Sequence, residues 1–234
     1  MGVADWGVRD GVKSQSAIGP NRGGLILVSG PSRSGKSRWA EHLADRSGLP
    51  VTYLATGADR PGDRSWQQRV LLHRQRRPPH WTTLEVGGEL EAALEHLGLE
   101  LDDRASLDLD GFEQAMGLSI ARDPGAPRAV NPSKLLLIDS LGTWLAHHLD
   151  LDESTWFQRQ ERLLRALHQQ GSPVVLVCEE VGWGVVPPTA IGGLFRDRIG
   201  SLQQRLMQQA AAAWLVVQGR ALNLMALGEP VPPA

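Results

Sequence analysis

Five short runs of the chain are almost wholly apolar: Leu25–Ser29 (LILVS), Val51–Ala55 (VTYLA), Leu135–Asp139 (LLLID), Val174–Cys178 (VVLVC) and Trp214–Gln218 (WLVVQ). A strand with one wet face alternates apolar and polar residues; a strand covered on both faces does not. These runs therefore predict buried strands. Between them the spacing turns helical. KSRWAEHLADRSG predicts a helix closing near Gly48, and Ser65–Arg76, Glu89–Leu97, Ser154–Gln170 and Phe195–Ala213 predict four more. SLGTWLAHHL, directly after Asp139, predicts another short one. Fully apolar strands separated by helices predict a three-layer α/β domain with a mainly parallel sheet.

The pattern fails in three places. Residues 1–24 are rich in glycine and polar residues and predict a flexible leader ahead of a domain spanning 25–228, with 229–234 as a tail. Gly98–Ser133 is first acidic, then rich in proline and glycine, and predicts a surface insertion without catalytic groups. Its acids Asp102, Asp103, Asp108 and Asp110 lack the spacing of a calcium loop.

Composition narrows the function. The 234 residues are 41% hydrophobic, enough for one real core, and 24 basic against 26 acidic side chains leave a formal net charge of −2. That balance argues against nonspecific nucleic-acid binding and against a polybasic membrane surface. No apolar run approaches the roughly 20 residues that span a bilayer, so no stable membrane insertion is expected. The start lacks a secretory h-region, and Trp6 stands where a myristoylation signal needs Ser or Thr. Cys178 is the sole cysteine, which excludes an intrachain disulfide, suits a cytoplasmic setting and is expected to be buried.

The candidate chemistry begins after the first strand. Gly30, Pro31, Ser32, Arg33, Ser34, Gly35, Lys36 and Ser37 form G-x-x-x-x-G-K-S between a buried strand and a helix. Glycines let successive backbone N–H groups face one anion, and the helix N-terminus adds favourable dipole charge. Lys36 is placed to reach β- and γ-phosphates, and the Ser37 hydroxyl to ligate Mg²⁺. A nucleoside triphosphate site follows. Asp139, closing LLLID, is the candidate second Mg²⁺ ligand, or alternatively the N-cap of the next helix. A second cluster, RVLLHRQRRPPHWTTLE, sets His73 among Arg69, Arg74, Arg76 and Arg77. Nearby cations disfavour imidazolium, a neutral imidazole is a nucleophile, and guanidiniums suit phosphates. The plainer alternative is a solvated basic helix face.

With LILVSGPSRSGKSRWAE, YLATG, RVLLHRQRRPPHW, LLLIDSLGTWL and EVGWGVVPPTAIGGLFRDRIGSLQQRL followed by WLVVQG in this order, the chain resembles the bifunctional adenosylcobinamide kinase / adenosylcobinamide-phosphate guanylyltransferase family of cobalamin biosynthesis. The resemblance runs from about Leu25 to Gly219, interrupted by the 98–133 insertion. It implies a phosphate-loop α/β fold with a mixed sheet, assembled as a trimer, using ATP, GTP and Mg²⁺ and taking a corrinoid substrate. It implies that His73 is the histidine that accepts GMP. It also implies that Arg74, Gln75, Arg76, Arg77, Glu85 and the turn Ala55, Thr56, Gly57 contact the guanine nucleotide. The first activity would phosphorylate the aminopropanol hydroxyl of adenosylcobinamide; the second would pass GMP from GTP through His73 to give adenosyl-GDP-cobinamide. The chain departs from the family at RSWQQ (Arg64–Gln68), at Glu179-Glu180 in place of Asn-Glu, near His147, at Gln203-Gln204 and at Ala211. Glu179–Pro188, with Trp183 between two glycines, is expected to be an active-site loop. Two other functions remain open to residue chemistry alone: a phosphate-loop kinase for another small molecule, and a GTP-binding regulatory protein without guanylyl transfer.

Overall fold

In the computed structural model, residues 24–58, 62–99, 134–184 and 188–232 are described, with Arg69 and Leu99 described as backbone only. Residues 1–23, 100–133 and 233–234, which hold most of the expected leader and insertion and the end of the tail, lie outside the described residues. The elements in chain order are β1 (Leu25–Gly30), α1 (Lys36–Arg46), β2 (Val51–Ala55), α2 (Arg64–Arg76), β3 (Thr82–Glu85), α3 (Leu90–Leu99), β4 (Leu135–Asp139), α4 (Leu141–Ala146), α5 (Glu153–His168), β5 (Val174–Glu179), α6 (Ala190–Met207), β6 (Ala210–Val217), β7 (Arg220–Asn223) and α7 (Leu224–Leu227).

The sheet has seven strands in the order β3-β2-β4-β5-β1-β6-β7. All pairs are parallel except β6–β7, so the sheet is mixed. Successive residues of each strand point to opposite faces. One face buries Leu27, Leu136, Ile138, Leu176 and Cys178 against α3, α4, α5 and α6. The other buries Ile26, Val28, Leu137, Val175 and Val177 against α1 and Trp81. Three layers result, and the absence of polar alternation in the strand runs is explained by the cover on both sides.

Three expectations change. The helix expected over Phe195–Ala213 is α6, which starts at Ala190 and ends at Met207. The last buried strand begins at Ala210 rather than Trp214, and Gln218 is a turn residue at φ 50°. Ala210–Ala213 has the strongest helix propensity available, yet it pairs with β1, and the sheet decides the outcome. Asp139 does not cap the following helix: Ser140 holds the N-cap of α4 and Asp139 remains the last residue of β4.

Parallel strands bring their C-terminal ends to one edge, where α/β sheets bind ligands. Gly30, Ala55, Asp139 and Glu179 end β1, β2, β4 and β5 there. Because β5 lies between β1 and β4, Glu179 stands between the phosphate loop and Asp139, and it pairs in register with Gly30. Gly30 admits no side chain: a Cβ would strike the Val216 carbonyl oxygen, and Ser34 Oγ at 2.7 Å. Beside this edge, α2 is anchored lightly. Asp63 caps it through Trp66 N at 2.9 Å, while Leu71 and Leu72 are 54% and 51% exposed.

Leu176 is fully buried at the centre of the sheet. Leu176→Ala should lower stability by about 3 kcal/mol, seen as a reduced denaturant midpoint at unchanged slope. Leu72→Ala on the open face of α2 should change stability by less than about 0.5 kcal/mol.

Candidate active site

The phosphate loop is closed by its own polar atoms. Ser34 N donates to the Pro31 carbonyl at 3.2 Å, Lys36 N to Ser34 Oγ at 3.3 Å, and Lys36 Nζ to the Pro31 carbonyl at 3.4 Å. Gly35, at the N-cap of α1, sits at φ 101°, a conformation open to glycine without strain. Arg33 also has positive φ, at 61°. The turn delivers Lys36 and Ser37 to the first turn of α1, facing a cleft of about 690 Å³. That is the size of a small-molecule site.

The same cleft is lined by His73, Arg74, Asp139, Glu85, Ala55 and Gly57. The other expected site residues stand outside its lining. Thr56 turns inward and is fully buried: its Oγ1 accepts from Ser140 N and donates to the Ser140 carbonyl, both at 2.7 Å. The Ala55–Gly57 turn therefore offers the cleft backbone rather than the threonine side chain. Gln75 is exposed, as are Ser32 and Arg33. Gly30, Pro31, Ser34 and Gly35 shape the loop behind Lys36. Trp183 is 59% exposed, and the 185–187 part of the expected active-site loop lies outside the described residues.

Arg74, Arg76 and Arg77 each meet different partners. Arg74 Nη2 donates to Glu85 Oε1 at 2.8 Å. Arg76 grips Glu41 through Nε and Nη2 at 3.2 and 3.1 Å, and its Nη2 lies 3.2 Å from His73 Nδ1. Arg77 lays its guanidinium over the Tyr53 ring, 3.5 Å from the centroid, a cation–π contact. The basic segment is thus not a uniform solvated helix face.

His73 Nδ1 also lies 3.6 Å from Asp139 Oδ2, and that oxygen accepts from the Tyr53 hydroxyl at 2.9 Å. Burial lowers the His73 pKa; the Asp139 carboxylate opposes this, and Arg76 and Arg77 add to it. The reason for a neutral imidazole differs from the one expected: removal from water comes first, neighbouring cations later. Burial likewise raises Tyr53 well above its ordinary value, with Asp139 adding to the effect, so its hydroxyl is a donor at neutral pH.

Glu179 ends β5 in register with Gly30 and also lines the cleft. It accepts from Ser140 Oγ, and its Oε2 accepts from Gly142 N at 2.7 Å. A Cβ on Gly142 would collide with that oxygen. Gln203 Nε2 in turn donates to the Glu179 carbonyl at 2.8 Å. Burial raises the Glu179 pKa against the pull of Ser140, Lys36 and the Gly142 amide. Trp66 fixes the other end of the cleft, with Nε1 donating to the Ala58 carbonyl at 2.9 Å and its ring against Gly57. His147 Nε2 lies 3.1 Å from the Thr56 carbonyl.

Tyr53 and Trp66, which line the cleft, and Glu41, which holds Arg76, are among the residues that motif reading missed. A signal existed for Tyr53: it is the chain's only tyrosine, inside a buried strand, and a buried tyrosine hydroxyl needs a partner. Only the register supplies the partner, because Ala55 pairs with Asp139 and Tyr53 lies two residues away on the same face.

A model of the family described as cobinamide kinase / cobinamide phosphate guanyltransferase matches residues 26–106 and 124–224. The unmatched stretch between them falls inside the expected insertion. The chain is 32% identical over 206 residues to the bifunctional adenosylcobalamin biosynthesis protein CobP of Pseudomonas aeruginosa, covering 88% of this chain and 98% of that protein. It is 32% identical over 209 residues to the bifunctional adenosylcobalamin biosynthesis protein CobU of Escherichia coli, and 30% identical over 209 residues to that of Salmonella typhimurium. Each of these two alignments covers 83% of this chain and 96% of the relative.

The buried carboxyl of Glu179 has a thermodynamic signature. Its folded pKa is raised, so the folded state binds the proton more tightly than the unfolded chain does. Stability from this group therefore falls as pH rises from the unfolded value of about 4.3 through the raised folded value. Glu179→Gln keeps an acceptor for Gly142 N, turns the oxygen facing Ser140 Oγ into an amide donor to that hydroxyl, and removes the charge. The variant should gain melting temperature over wild type at pH 8, and the gain should shrink towards pH 4.

Proposed function

The chain belongs to the cobinamide kinase / cobinamide phosphate guanyltransferase family, nucleotide-binding transferases of cobalamin biosynthesis, and from this premise we propose how its own residues divide the two reactions. The observation that carries the reading is one cleft lined by Lys36, Ser37, Asp139 and His73 together. A triphosphate held by the loop would lie within reach of a half-buried imidazole.

In the kinase reaction, Lys36 and the loop amides hold the β- and γ-phosphates of ATP or GTP. The aminopropanol hydroxyl of adenosylcobinamide attacks the γ-phosphorus, the bond from that phosphorus to the β–γ bridging oxygen breaks, the nucleoside diphosphate leaves with the electron pair, and the hydroxyl proton is released to solvent. Phosphoryl transfer asks mainly for alignment and neutralised charge, which this loop can supply. Ser37 and Asp139 bring hydroxyl and carboxylate oxygens to the cleft, hard donors suited to Mg²⁺. Among the described residues no group of three or more His, Cys, Asp or Glu could form a metal cage. Magnesium commonly keeps few protein ligands and takes the rest from phosphates and water. When bound, it would offset charge developing on the phosphates.

In the guanylyl reaction, His73 attacks the α-phosphorus of GTP, pyrophosphate leaves, and the phosphorylated corrinoid then takes GMP, giving adenosyl-GDP-cobinamide. A covalent histidine intermediate needs a neutral ring, and burial favours that form. Arg74, Arg76 and Arg77 would exchange their present partners for phosphate oxygens, while Glu85, Gln75 and the Ala55–Gly57 turn would meet the guanosine. The protein would work in the cytoplasm as a homotrimer on a corrinoid, without nucleic acid. Among the described residues no helix is long and apolar enough to cross a membrane.

Incubation with α-labelled GTP and Mg²⁺ should yield an acid-labile, alkali-stable protein adduct. His73→Ala should abolish it while changing nucleotide affinity less than about threefold. Lys36→Ala should weaken triphosphate binding by about tenfold or more, the scale of one lost charge-assisted hydrogen bond. Labelling of His73→Ala at the wild-type rate would refute the guanylyl assignment and leave a kinase or a nucleotide-binding regulator.

A further inference from the structure

Resting on the guanylylation reading, we infer that the indole ring of Trp66 is the platform on which the guanine base stacks while the α-phosphorus is at His73. One face of α2 points to it. Trp66, Gln67, Val70, His73 and Arg74 all line the cleft, at the three- and four-residue spacing of a single helical stripe. The stripe changes character along its length, from apolar at Trp66 and Val70 to nucleophilic and basic at His73 and Arg74. A nucleotide is graded in the same way, from a flat base to an ionic phosphate. Trp66 and His73 are seven residues apart, two turns and about 10 Å along the axis. Ribose and purine together cover such a span, with the sugar passing Val70.

The sheet sets out the same parts in the same order. The phosphate loop follows β1, Asp139 ends β4, and the Ala55–Gly57 turn follows β2, with β5 between β1 and β4. β1 and β2 are three strand spacings apart, about 14 Å. A GTP with its β- and γ-phosphates at the loop and its α-phosphorus at His73, beside Asp139, therefore carries its base to the β2 turn. Trp66 stands there.

Its ring is held in place. A Cβ on Gly57 would meet Trp66 Cζ2 at 2.8 Å, so the bare turn lets the ring lie close against the backbone. The ring's one hydrogen-bond donor, Nε1, donates to the Ala58 carbonyl at 2.9 Å. What the indole offers a ligand is thus a π-face rather than a polar group. Stacking tolerates every base, so the choice of guanine falls to Glu85. That residue pairs in register with Ala55, next to the turn, and its carboxylate can accept from guanine N1–H and N2–H. Trp66 belongs to RSWQQ, a segment in which the chain departs from the family.

The test follows adduct formation from α-labelled GTP on the full chain as the GTP concentration is varied. Trp66→Leu removes the aromatic face. Its half-saturating GTP concentration should rise about tenfold, the order of one base–aromatic stack, while the limiting rate falls no more than about twofold. Trp66→Phe keeps an aromatic face but loses the bond to Ala58, and should recover most of that loss. A ring that only pins the turn would make both variants fail alike, in the limiting rate or the melting temperature. That result, or Trp66→Leu saturating at the wild-type GTP concentration, overturns the inference. A second measurement needs no variant. Among the described residues Trp66 is the tryptophan that lines the cleft. In the guanylylated, deuterated chain with protonated tryptophan, guanine H8 should show a nuclear Overhauser contact to an indole ring. An adduct without that contact overturns the inference alone. Absence of any adduct on the wild-type chain sinks the guanylylation reading, and the inference with it.

Discussion

One carboxylate oxygen organises the cleft. Asp139 Oδ2 receives the Tyr53 hydroxyl and faces His73 Nδ1, so a strand end, a neighbouring strand and the loosely anchored helix α2 meet at one atom. A hydroxyl held within the sheet on one side and an imidazole on a lightly packed helix on the other make Asp139 the joint between the rigid and the adjustable parts of the site. The phosphate loop stands two strands away, with Glu179 between. The order of strands, rather than any local motif, sets the distance between the glycine-rich loop and Asp139.

The arginine cluster shows how a run of like charge can hide distinct duties. Arg74, Arg76 and Arg77 fall within four consecutive positions of the chain, yet they meet Glu85, Glu41 and the Tyr53 ring. Their surroundings differ as well: the Arg74–Glu85 pair is more than half exposed and screened by water, while the Glu41 carboxylate that holds Arg76 is largely buried.

The layers were legible in the chain because burial on both faces leaves apolar runs such as LLLID and VVLVC, and the phosphate loop because its chemistry is local. Other parts were not. β3 is exposed along its whole length and carries no apolar signal. Ala210–Ala213 carries a misleading one, since alanine favours helix until a partner strand is present. At His73 the neighbouring arginines were visible, but the burial that dominates its proton affinity was not, because burial comes from residues distant in the chain. Tyr53 failed for the same reason: its partner lies 86 positions away. Glu179 was visible only as a departure from the family's asparagine; its clamp on Ser140 and Gly142 depends on β5 lying beside β4.

The two outermost strands, β3 and β7, are each only four residues long. Short borders present few unpaired amides and carbonyls to a strand from another molecule. A broad, apolar sheet of this kind would otherwise be a template for intermolecular β-pairing. Its brief margins should help the chain stay dispersed when it is concentrated, independently of anything that happens in the cleft.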